Sequence, residues 1–261
     1  MTESLLEVRR VRHELRRRRL QVSRVTRLSP HIVSVTFTGP DLAGFVSASF
    51  DDHVKLLLPS PGTTEPVLPE LGPDGPSWPE GAPRPVMRDY TPRRFDAAAL
   101  ELDIEFAVHG DGPAATWAAQ AQPGQVVGIG GPRGSFLIPE AFDWHLLVGD
   151  DTALPAIARR LEELPAGKRV IAVLAVAPED RRELPTKADV AWHWCEPSGL
   201  VDAVRALKIP DGAGYSWAAG EAKAMAAVRE VLVGEKGVDR SRVRAAAYWK
   251  QGAPGHHERI E

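Results

Sequence analysis

One short run in the first half of the chain carries a cation, an aromatic ring and a hydroxyl on a segment of extended character. Residues 87–93 read Met-Arg-Asp-Tyr-Thr-Pro-Arg. In an extended strand Arg88 and Tyr90 lie on one face and Thr91 on the other, because side chains alternate. A guanidinium binds phosphate oxygens and an aromatic ring packs on a flat ring system, so the run offers what a flavin requires. A purely structural strand is the alternative.

A glycine-rich turn follows in residues 109–117, which read His-Gly-Asp-Gly-Pro-Ala-Ala-Thr-Trp. Glycines let the backbone approach a ligand closely. The helix expected from Pro113 onward presents free N–H groups and the positive end of its dipole to an anion. The turn is therefore a candidate cradle for a diphosphate. An ordinary tight turn before a helix is the alternative.

Several turns in the second half lie where a strand is expected to give way to a helix. Residues 149–156 read Gly-Asp-Asp-Thr-Ala-Leu-Pro-Ala, and residues 217–222 read Trp-Ala-Ala-Gly-Glu-Ala. Parallel sheets bind ligands at such carboxyl ends of strands. Neither turn has the Gly-x-Gly-x-x-Gly pattern of dinucleotide-binding folds, and the acidic pair Asp150 and Asp151 would repel a diphosphate placed against it. A last motif, residues 245–252, lies at the end of the final predicted strand and ends in Tyr-Trp-Lys-Gln-Gly.

These segments need two kinds of scaffold to position them. In the first half, short apolar runs with period-two alternation, such as residues 32–38, predict strands. A Pro- and Gly-rich stretch, residues 59–85, is too broken for regular structure and is expected to be a surface excursion. Beyond Phe142 strands and helices alternate, which predicts a parallel sheet covered on both faces. The fold class is therefore a β-barrel-like domain over residues 1–140 followed by an α/β domain over residues 141–261.

Composition excludes several classes of protein. The 261 residues include 32 Lys and Arg against 35 Asp and Glu, so no overall field draws the chain to nucleic acid. Cys195 is the single cysteine, which excludes an intrachain disulfide framework, a Cys-rich zinc site and an iron–sulfur cluster held by one chain. No apolar run reaches the ~18 residues that span a bilayer. We expect a cytoplasmic monomer that binds neither membrane nor nucleic acid, with the arginine-rich residues 9–19 as a frayed, solvated leader.

In their order and spacing, these segments resemble the siderophore-interacting proteins, a family of FAD-dependent ferric-siderophore reductases. The resemblance runs from about Leu20 to Gly252 and includes Arg-Asp-Tyr-Thr-Pro-Arg, His-Gly-Asp-Gly-Pro-Ala and Tyr-Trp-Lys-Gln-Gly. It implies a ferredoxin-reductase-like architecture, in which a six-stranded antiparallel FAD-binding barrel precedes a smaller NAD(P)-type α/β domain. It implies no catalytic acid, base or nucleophile, because FAD carries the redox chemistry. The implied cofactor-binding residues are Arg88, Tyr90, Thr91, Val108, His109, Gly110, Gly112, Pro113, Ala114, Ala115, Trp117, Asp150, Thr152, Ala247, Tyr248 and Trp249.

The resemblance also implies a site for the substrate, a bulky and often anionic ferric siderophore. It assigns a basic triad to that site: Lys55 in the first domain, Arg133 in a Gly-Gly-Pro-Arg-Gly run, and Lys250 near the end of the second domain. Three such cations would steer and hold the substrate as point charges.

The implied electron donor is NADPH or NADH, with a ferredoxin as the alternative partner. Arg181 and Arg182 follow the second predicted strand of the α/β domain, where they would meet a 2′-phosphate, and this favours NADPH. Cys195 is expected to be a packed, structural thiol. His256 and His257 belong to a solvated tail and are assigned no role.

Two other functions fit the same residues. One is a flavin reductase of the same architecture that reduces free flavin, a quinone or a partner protein; the basic triad favours the ferric chelate over these acceptors. The other is a siderophore-binding module without flavin. The intact residues 88–91 and 109–110 argue against this module, because they are candidate flavin-binding residues.

Overall fold

The computed structural model describes residues 3–72, 75–108, 110, 112–253 and 258–260. The chain divides into two compact units: Val8–Leu137, called the antiparallel unit below, and Met1–Glu7 with Ile138–Glu261, called the α/β unit. The two units are nearly equal in length, whereas the sequence analysis expected the second to be smaller.

The antiparallel unit consists of strands with one short helix. Its apolar strands alternate inward and outward side chains, as the sequence pattern requires. Its elements are β1 (Arg9–Arg12), β2 (Arg17–Ser29), β3 (Ile32–Thr38), β4 (Val54–Leu58), β5 (Glu70–Gly72), β6 (Gly75–Ser77), β7 (Val86–Tyr90), β8 (Arg94–Asp96), β9 (Glu101–Ala107), α1 (Pro113–Ala119), β10 (Val126–Gly130) and β11 (Gly134–Leu137).

The main sheet of this unit has seven antiparallel strands in the order β7-β4-β10-β2-β3-β9-β8. The expected barrel class is confirmed, but the prediction of six strands is wrong by one. The sheet is an open half-barrel with β7 and β8 as its edges. The three residues of β8 follow the turn at Pro92, and so short a strand has no periodicity that a sequence pattern could reveal.

The core of this unit lies on one face of the sheet. Val33, Val35 and Phe37 of β3 are buried there, on the face that their alternation predicted. Helix α1 closes the core with Ala114 and Ala118. Burial of a side chain the size of Phe37 contributes roughly 2–3 kcal/mol, so this packing is the main force that holds the sheet.

The arginine-rich residues 9–19 are folded, so the expectation of a frayed leader is wrong. Strand β1 pairs with β11 in antiparallel register. Arg18 is buried, donates to the carbonyl oxygens of Asp41 (3.1 Å) and Gly131 (2.9 Å), and lies 5.0 Å from the ring centroid of Phe45. Charge density alone predicted solvation; the carbonyl acceptors that allow an arginine to be buried are distant in sequence.

The described residues of the Pro- and Gly-rich segment, 59–72 and 75–85, are anchored to the sheet at several points. They contain the small β5–β6 hairpin. Arg17 donates to the carbonyl oxygen of Pro69 at 2.7 Å, and Arg19 pairs with Glu65 at 2.6 Å. Leu68 packs over Gly128 of β10, where a β-carbon would lie only 2.2 Å from a Leu68 methyl group. The excursion is thus fixed from both β2 and β10.

The α/β unit has a central parallel sheet with helices on its faces, as predicted. Strand order is β14-β13-β12-β15-β16-β17; the first five strands run parallel and the last pairs antiparallel with β16. No helix in the described part of the chain is long and apolar enough to cross a membrane. The elements are β12 (Trp144–Asp150), α2 (Leu154–Glu163), β13 (Arg169–Ala175), β14 (Asp189–Cys195), α3 (Leu200–Ala206), β15 (Gly214–Glu221), α4 (Ala222–Glu230), β16 (Val243–Trp249) and β17 (Glu258–Ile260).

The strand order places a crossover at the centre of this sheet. The chain leaves β12 for β13 on one side, and β15 later returns to the other side of β12. The carboxyl ends of β12 and β15 therefore form a topological switch point, the usual location of ligands in open α/β sheets. Asp150 ends β12 at this point.

Candidate functional site

The first group of predicted site residues lies on the core face of β7. Tyr90 packs against Phe106 of β9 with ring centroids 4.4 Å apart, and Phe106 lies 5.9 Å from Trp117 of α1. Trp117 in turn stacks on Phe37 at 6.2 Å. Helix α1 packs on β3, β7 and β9. The structure thus joins Tyr90 and Trp117 through a continuous aromatic cluster, in which Trp117 is a packing residue of the core.

Arg88 and Tyr90 share a face, as the alternation predicted. They lie opposite Leu56 and Val54 of β4 in the antiparallel register. Burial raises the pKa of the Tyr90 hydroxyl, and the nearby Arg88 guanidinium partly offsets that rise. Tyr90 therefore stays neutral, and one positive charge lies beside it. Arg88 donates to the carbonyl oxygen of its neighbour Met87 at 2.7 Å, and Thr91 is buried directly after β7.

The glycine-rich turn precedes α1 within the same unit. Val108 donates its N–H to the carbonyl oxygen of His31 at 2.8 Å, which ties the start of the turn to the sheet. Gly110 has φ +76° with no heavy atom near the position of a β-carbon. Gly112 and Pro113 are exposed, Ala115 is half-buried and Ala114 is buried. His109 lies outside the described residues.

Helix α1 is a weaker source of positive potential than the sequence suggested. It has seven residues, about two turns, so few peptide dipoles add along its axis. Its N-cap is Gly112, which has no side chain to cap the first N–H groups. The Arg88 guanidinium, on the strand β7 against which α1 packs, carries a full positive charge. A bound anion would rely more on Arg88 than on the helix.

These residues fit FAD in their chemistry. Arg88 supplies a cation for a phosphate, the Tyr90 ring an aromatic surface, and Thr91 a hydroxyl. The open space at the position of a Gly110 β-carbon would let a ligand approach the backbone closely, which suits a diphosphate. All of them belong to one compact unit, the antiparallel unit.

The second group lies on the opposite face of the β4–β7 ladder. Lys55 is directly opposite Asp89 in the antiparallel register, and their side chains form an ion pair of 2.7 Å. Lys55 is therefore paired in this structure, not a free cation. The pair is partly exposed, and such pairs are held by roughly 0–1 kcal/mol, so an anionic ligand can compete for the lysine.

A cavity of about 110 Å³ opens beside this ion pair. Lys55 and Arg133 both line it, so the structure brings together two of the three predicted substrate-binding cations. Arg133 is exposed, and its guanidinium has no ion-pair partner within the described part of the chain. The other residues that line the cavity are mostly apolar side chains from the 59–85 segment and from the sheet beneath that segment.

The third group surrounds Asp150 in the α/β unit. One carboxylate oxygen accepts from the backbone N–H (3.0 Å) and hydroxyl (2.5 Å) of Thr152. The other accepts from the Glu221 N–H at 3.0 Å and from the Trp249 indole at 2.9 Å. Gly220 makes this approach possible, since a β-carbon there would lie 2.5 Å from Asp150 Oδ2. One carboxylate thus connects β12, β15 and β16.

The environment of Asp150 opposes its charge. Burial raises the pKa of the Asp150 carboxyl, and the negative charge of Asp151 raises it further. The bonds from Thr152 and Trp249 act in the opposite direction. A bound diphosphate directly at this carboxylate would add like charge, which agrees with the sequence argument against dinucleotide phosphate binding here.

The end of β16 carries the remaining predicted residues. Ala247 is buried in the sheet, and Tyr248 meets Trp217 edge to face at 6.3 Å. Trp249 and Lys250 are exposed, and Lys250 belongs to the α/β unit. The structure thus brings together Asp150, Thr152 and Trp249 through hydrogen bonds, with Tyr248 on the same strand as Trp249.

The residues considered for the electron donor are less free than the sequence suggested. Arg181 donates to the Val176 carbonyl oxygen at 3.0 Å and pairs with Glu196 at 3.5 Å. Cys195 is half-buried and its Sγ lies 3.8 Å from the Leu174 carbonyl oxygen. Burial raises the pKa of the Cys195 thiol, so it is a packed thiol, not an activated nucleophile. His256 and His257 lie outside the described residues.

Sequence reasoning missed several residues near these groups. Asp89 stands within the Arg-Asp-Tyr-Thr run but received no role, because its pairing with Lys55 depends on the register of strands 34 residues apart. The walls of the cavity, including Leu68 and Trp78, lie in the segment treated as an excursion. Glu221, which caps α4 through the N–H groups of Lys223 and Ala224, was part of a recognised motif without a function. No group of metal-ligating side chains occurs among the described residues.

The succession of an antiparallel half-barrel and a parallel α/β unit is the fold of ferredoxin reductases. The chain is similar to the ferredoxin reductase of carbazole 1,9a-dioxygenase, with a TM-score of 0.61 and 18% identity over 88% of this chain and 69% of that one. At this identity the likeness concerns the fold alone.

Closer similarities define the family. Residues 21–136 match the siderophore-interacting FAD-binding domain, and residues 142–252 match the siderophore-interacting protein domain. The NADPH-dependent ferric-chelate reductase of Escherichia coli K12 is 38% identical over 92% of this chain and 95% of its own. The ferric vibriobactin reductase ViuB of Vibrio cholerae is 35% identical over 86% of both chains. The crystal structure of a siderophore utilization protein from T. fusca has a TM-score of 0.87 at 40% identity, covering 96% of this chain and 98% of that one. The chain belongs to the siderophore-interacting protein family, as the sequence motifs implied.

Proposed function

We propose that this protein is an FAD-dependent ferric-siderophore reductase, which reduces chelated Fe(III) to Fe(II) and so releases the iron. The observation that carries the proposal is the shared cavity of Lys55 and Arg133, in the unit that matches the family's FAD-binding domain. Two cations at one cavity suit a bulky anion. Relatives named as ferric-chelate and ferric vibriobactin reductases support the same reaction.

In this proposal the antiparallel unit holds the cofactor. Arg88 neutralises a phosphate, Tyr90 packs on the flavin side, and Thr91 offers its hydroxyl. The turn from Val108 to Ala115 receives the diphosphate and adenosine part, with Gly110 as its most open point. His109, which lies outside the described residues, belongs to the same proposed turn.

The α/β unit supplies a second set of proposed cofactor contacts. Asp150 and Thr152 lie at the end of β12, and Ala247, Tyr248 and Trp249 end β16. The hydrogen bond from the Trp249 indole to Asp150 fixes the ring of Trp249, which would cover an edge of the flavin. Lys250 is the third proposed substrate cation.

FAD, when bound, supplies the redox chemistry, because it takes up two electrons together and releases them singly. The residues of the chain bind and orient; none is needed as an acid, base or nucleophile. Lys55 and Arg133 hold the anionic chelate in the same unit, on the face of the β4–β7 ladder opposite to Arg88 and Tyr90. Reduction weakens the hold of hard oxygen donors on the iron, so Fe(II) leaves the chelate.

We propose NADPH as the electron donor, since a relative 38% identical carries the name NADPH-dependent ferric-chelate reductase. Arg181 and Arg182 are candidates for the 2′-phosphate, and Arg181 would exchange its pair with Glu196 for that phosphate. A ferredoxin is the alternative donor. We propose a cytoplasmic monomer; the single cysteine supports the location, since it suits a reducing compartment.

The proposal is tested by an anaerobic reaction in two stages. The purified protein is first mixed with NADPH or NADH while flavin absorbance is followed. The reduced protein is then mixed with a ferric chelate and a ferrous-iron indicator. We expect faster reduction by NADPH and then about two ferrous ions per flavin. A flavin that stays reduced in the presence of ferric catecholates and hydroxamates alike would overturn the proposal.

A variant tests the role of the cavity in turnover. Lys55→Ala should raise KM for an anionic ferric chelate about tenfold, because the chelate loses a cation and meets the Asp89 carboxylate without its ion-pair partner. FAD content and the rate at which NADPH reduces the flavin should stay unchanged. Lys208→Ala, which removes an exposed lysine of the α/β unit, is the matched control. Equal KM values for the two variants would remove Lys55 from the substrate site.

A further inference from the structure

We propose that the cavity beneath the 59–85 segment is a subsite for one aromatic ring of the ferric chelate, and that this segment therefore selects catecholate siderophores. The inference rests on the proposed function and adds the chemical class of the substrate. It assigns a recognition role to Leu68, Leu71 and Trp78, which the sequence analysis left in a surface excursion.

The walls of the cavity are apolar. Leu57 and Met87 come from the sheet below it, and Leu68, Leu71 and Trp78 come from the segment above it. Its volume is about 110 Å³. Apolar cavities of roughly 150 Å³ accept a benzene molecule, so this smaller space takes in one six-membered ring at most and no larger group.

Charge lies at the edge of the same space. Among the described residues that line the cavity, Arg16, Arg17, Lys55 and Arg133 are cationic and Asp89 is the one carboxylate. A catecholate arm has the matching distribution: an apolar ring and, at one edge of that ring, two negatively charged oxygens that hold the metal. A hydroxamate or carboxylate arm would supply the charge but leave the apolar space without a partner.

The cavity is formed by contacts that do not need a ligand. The Arg17 guanidinium donates a hydrogen bond to the carbonyl oxygen of Pro69 at 2.7 Å. The Arg84 guanidinium lies 4.9 Å from the ring centroid of Trp78. Leu68 is seated on Gly128. Because the wall is held before binding, little ordering cost remains for a ring that enters, and the contact contributes to affinity.

The experiment measures binding without reduction. Gallium(III) has the charge of Fe(III) but is not reduced by the protein, so the FAD-loaded protein is titrated by calorimetry with a gallium tris-catecholate and with gallium citrate. Trp78→Ala should weaken binding of the tris-catecholate about tenfold and leave gallium citrate within about twofold. Trp78→Phe should restore most of the loss. Trp192→Ala, an exposed tryptophan of the α/β unit, is the matched control.

Two further variants keep the result interpretable. Leu71 is 40% exposed, so Leu71→Ala leaves the fold intact and should show the same selectivity with a smaller effect. Lys55→Ala should weaken both gallium complexes, because it removes charge and not the ring contact. If Trp78→Ala and Leu71→Ala weaken both complexes equally, or neither, the ring subsite is wrong. That outcome leaves the proposed reductase untouched, since ferric turnover is measured separately.

Discussion

The two units hold their candidate groups in different ways. In the α/β unit one partly buried carboxylate, Asp150, accepts hydrogen bonds from three other residues on three parts of the chain. In the antiparallel unit the candidate residues lie on two faces of the β4–β7 ladder, and each is held by its own neighbours. The first arrangement depends on a single side chain; the second divides its contacts among several. Substitution of Asp150 should therefore disrupt the whole group in the α/β unit. Substitution of one candidate residue in the antiparallel unit should disrupt only the contacts of that residue.

The largest effect is expected at Asp150. Asp150→Ala should lower the free energy of unfolding by about 2 kcal/mol, because the Trp249 indole and the Glu221 N–H lose a charged acceptor in a partly buried place. Denaturant unfolding measures the loss. Asp150→Asn keeps one acceptor oxygen and should lose less. Asp211→Ala, at an exposed aspartate, is the control, and a loss at Asp150 no larger than this control would break the comparison.

The α/β unit should also lose stability in acid through His145. This side chain is buried in β12; burial, together with the charges of Arg160 and Lys168, lowers its pKa from 6.5 to about 3. Above pH 6.5 the ring is neutral in both folded and unfolded chains, so its stabilising contribution is complete. Between pH 6.5 and about 3 only the unfolded chain takes up the proton. Stability should fall over that window by up to about 1.4 kcal/mol per pH unit.

The control for this prediction is His145→Gln, which cannot titrate. Unfolding free energies of both proteins are measured from pH 7 down to about pH 4.5 in denaturant titrations. The variant should have lower stability at neutral pH but a shallower slope. Parallel slopes in the two proteins would show that another group, and not His145, causes the acid sensitivity.

A smaller effect is expected where the antiparallel unit meets the 59–85 segment. In Gly128→Ala the new β-carbon would lie 2.2 Å from a Leu68 methyl group and 3.2 Å from Leu57 Cβ. The Leu68 side chain must move, which should lower the free energy of unfolding by about 1 kcal/mol. The 59–85 segment should then be more susceptible to protease. Gly130→Ala, in the same strand with no neighbour within 4 Å, should change neither. Equal protease sensitivity in both variants would contradict the anchoring role of Leu68.

The difference between the units also explains what the sequence could predict. Local periodicity placed Arg88 and Tyr90 on one face, and the alternation of strands and helices gave the parallel sheet and the strand ends at which Asp150 and Trp249 lie. These inferences need only neighbours along the chain. The chemistry of these segments, and the family they resemble, can therefore be recognised from the order of the residues alone.

Contacts between distant residues could not be predicted in this way. The pairing of Lys55 with Asp89 depends on the register of β4 against β7, and burial of Arg18 depends on carbonyl oxygens more than 20 residues away. The packing of Leu68 on Gly128 brings together residues that are 60 positions apart. A stretch rich in Pro and Gly has no period of its own, so its packing and the cavity below it emerge only in the folded chain.

The ion pair of Lys55 with Asp89 has a consequence for which anions the cavity accepts. Any anion that uses Lys55 must first displace a carboxylate that is already in place at 2.7 Å. A singly charged anion such as chloride or acetate gains little by this exchange, because it replaces one negative charge by another. A chelate with several negative charges gains more, since it reaches Arg133 at the same time. Asp89 thus biases the cavity toward chelates with several negative charges, by no more than the roughly 0–1 kcal/mol that an exposed ion pair contributes.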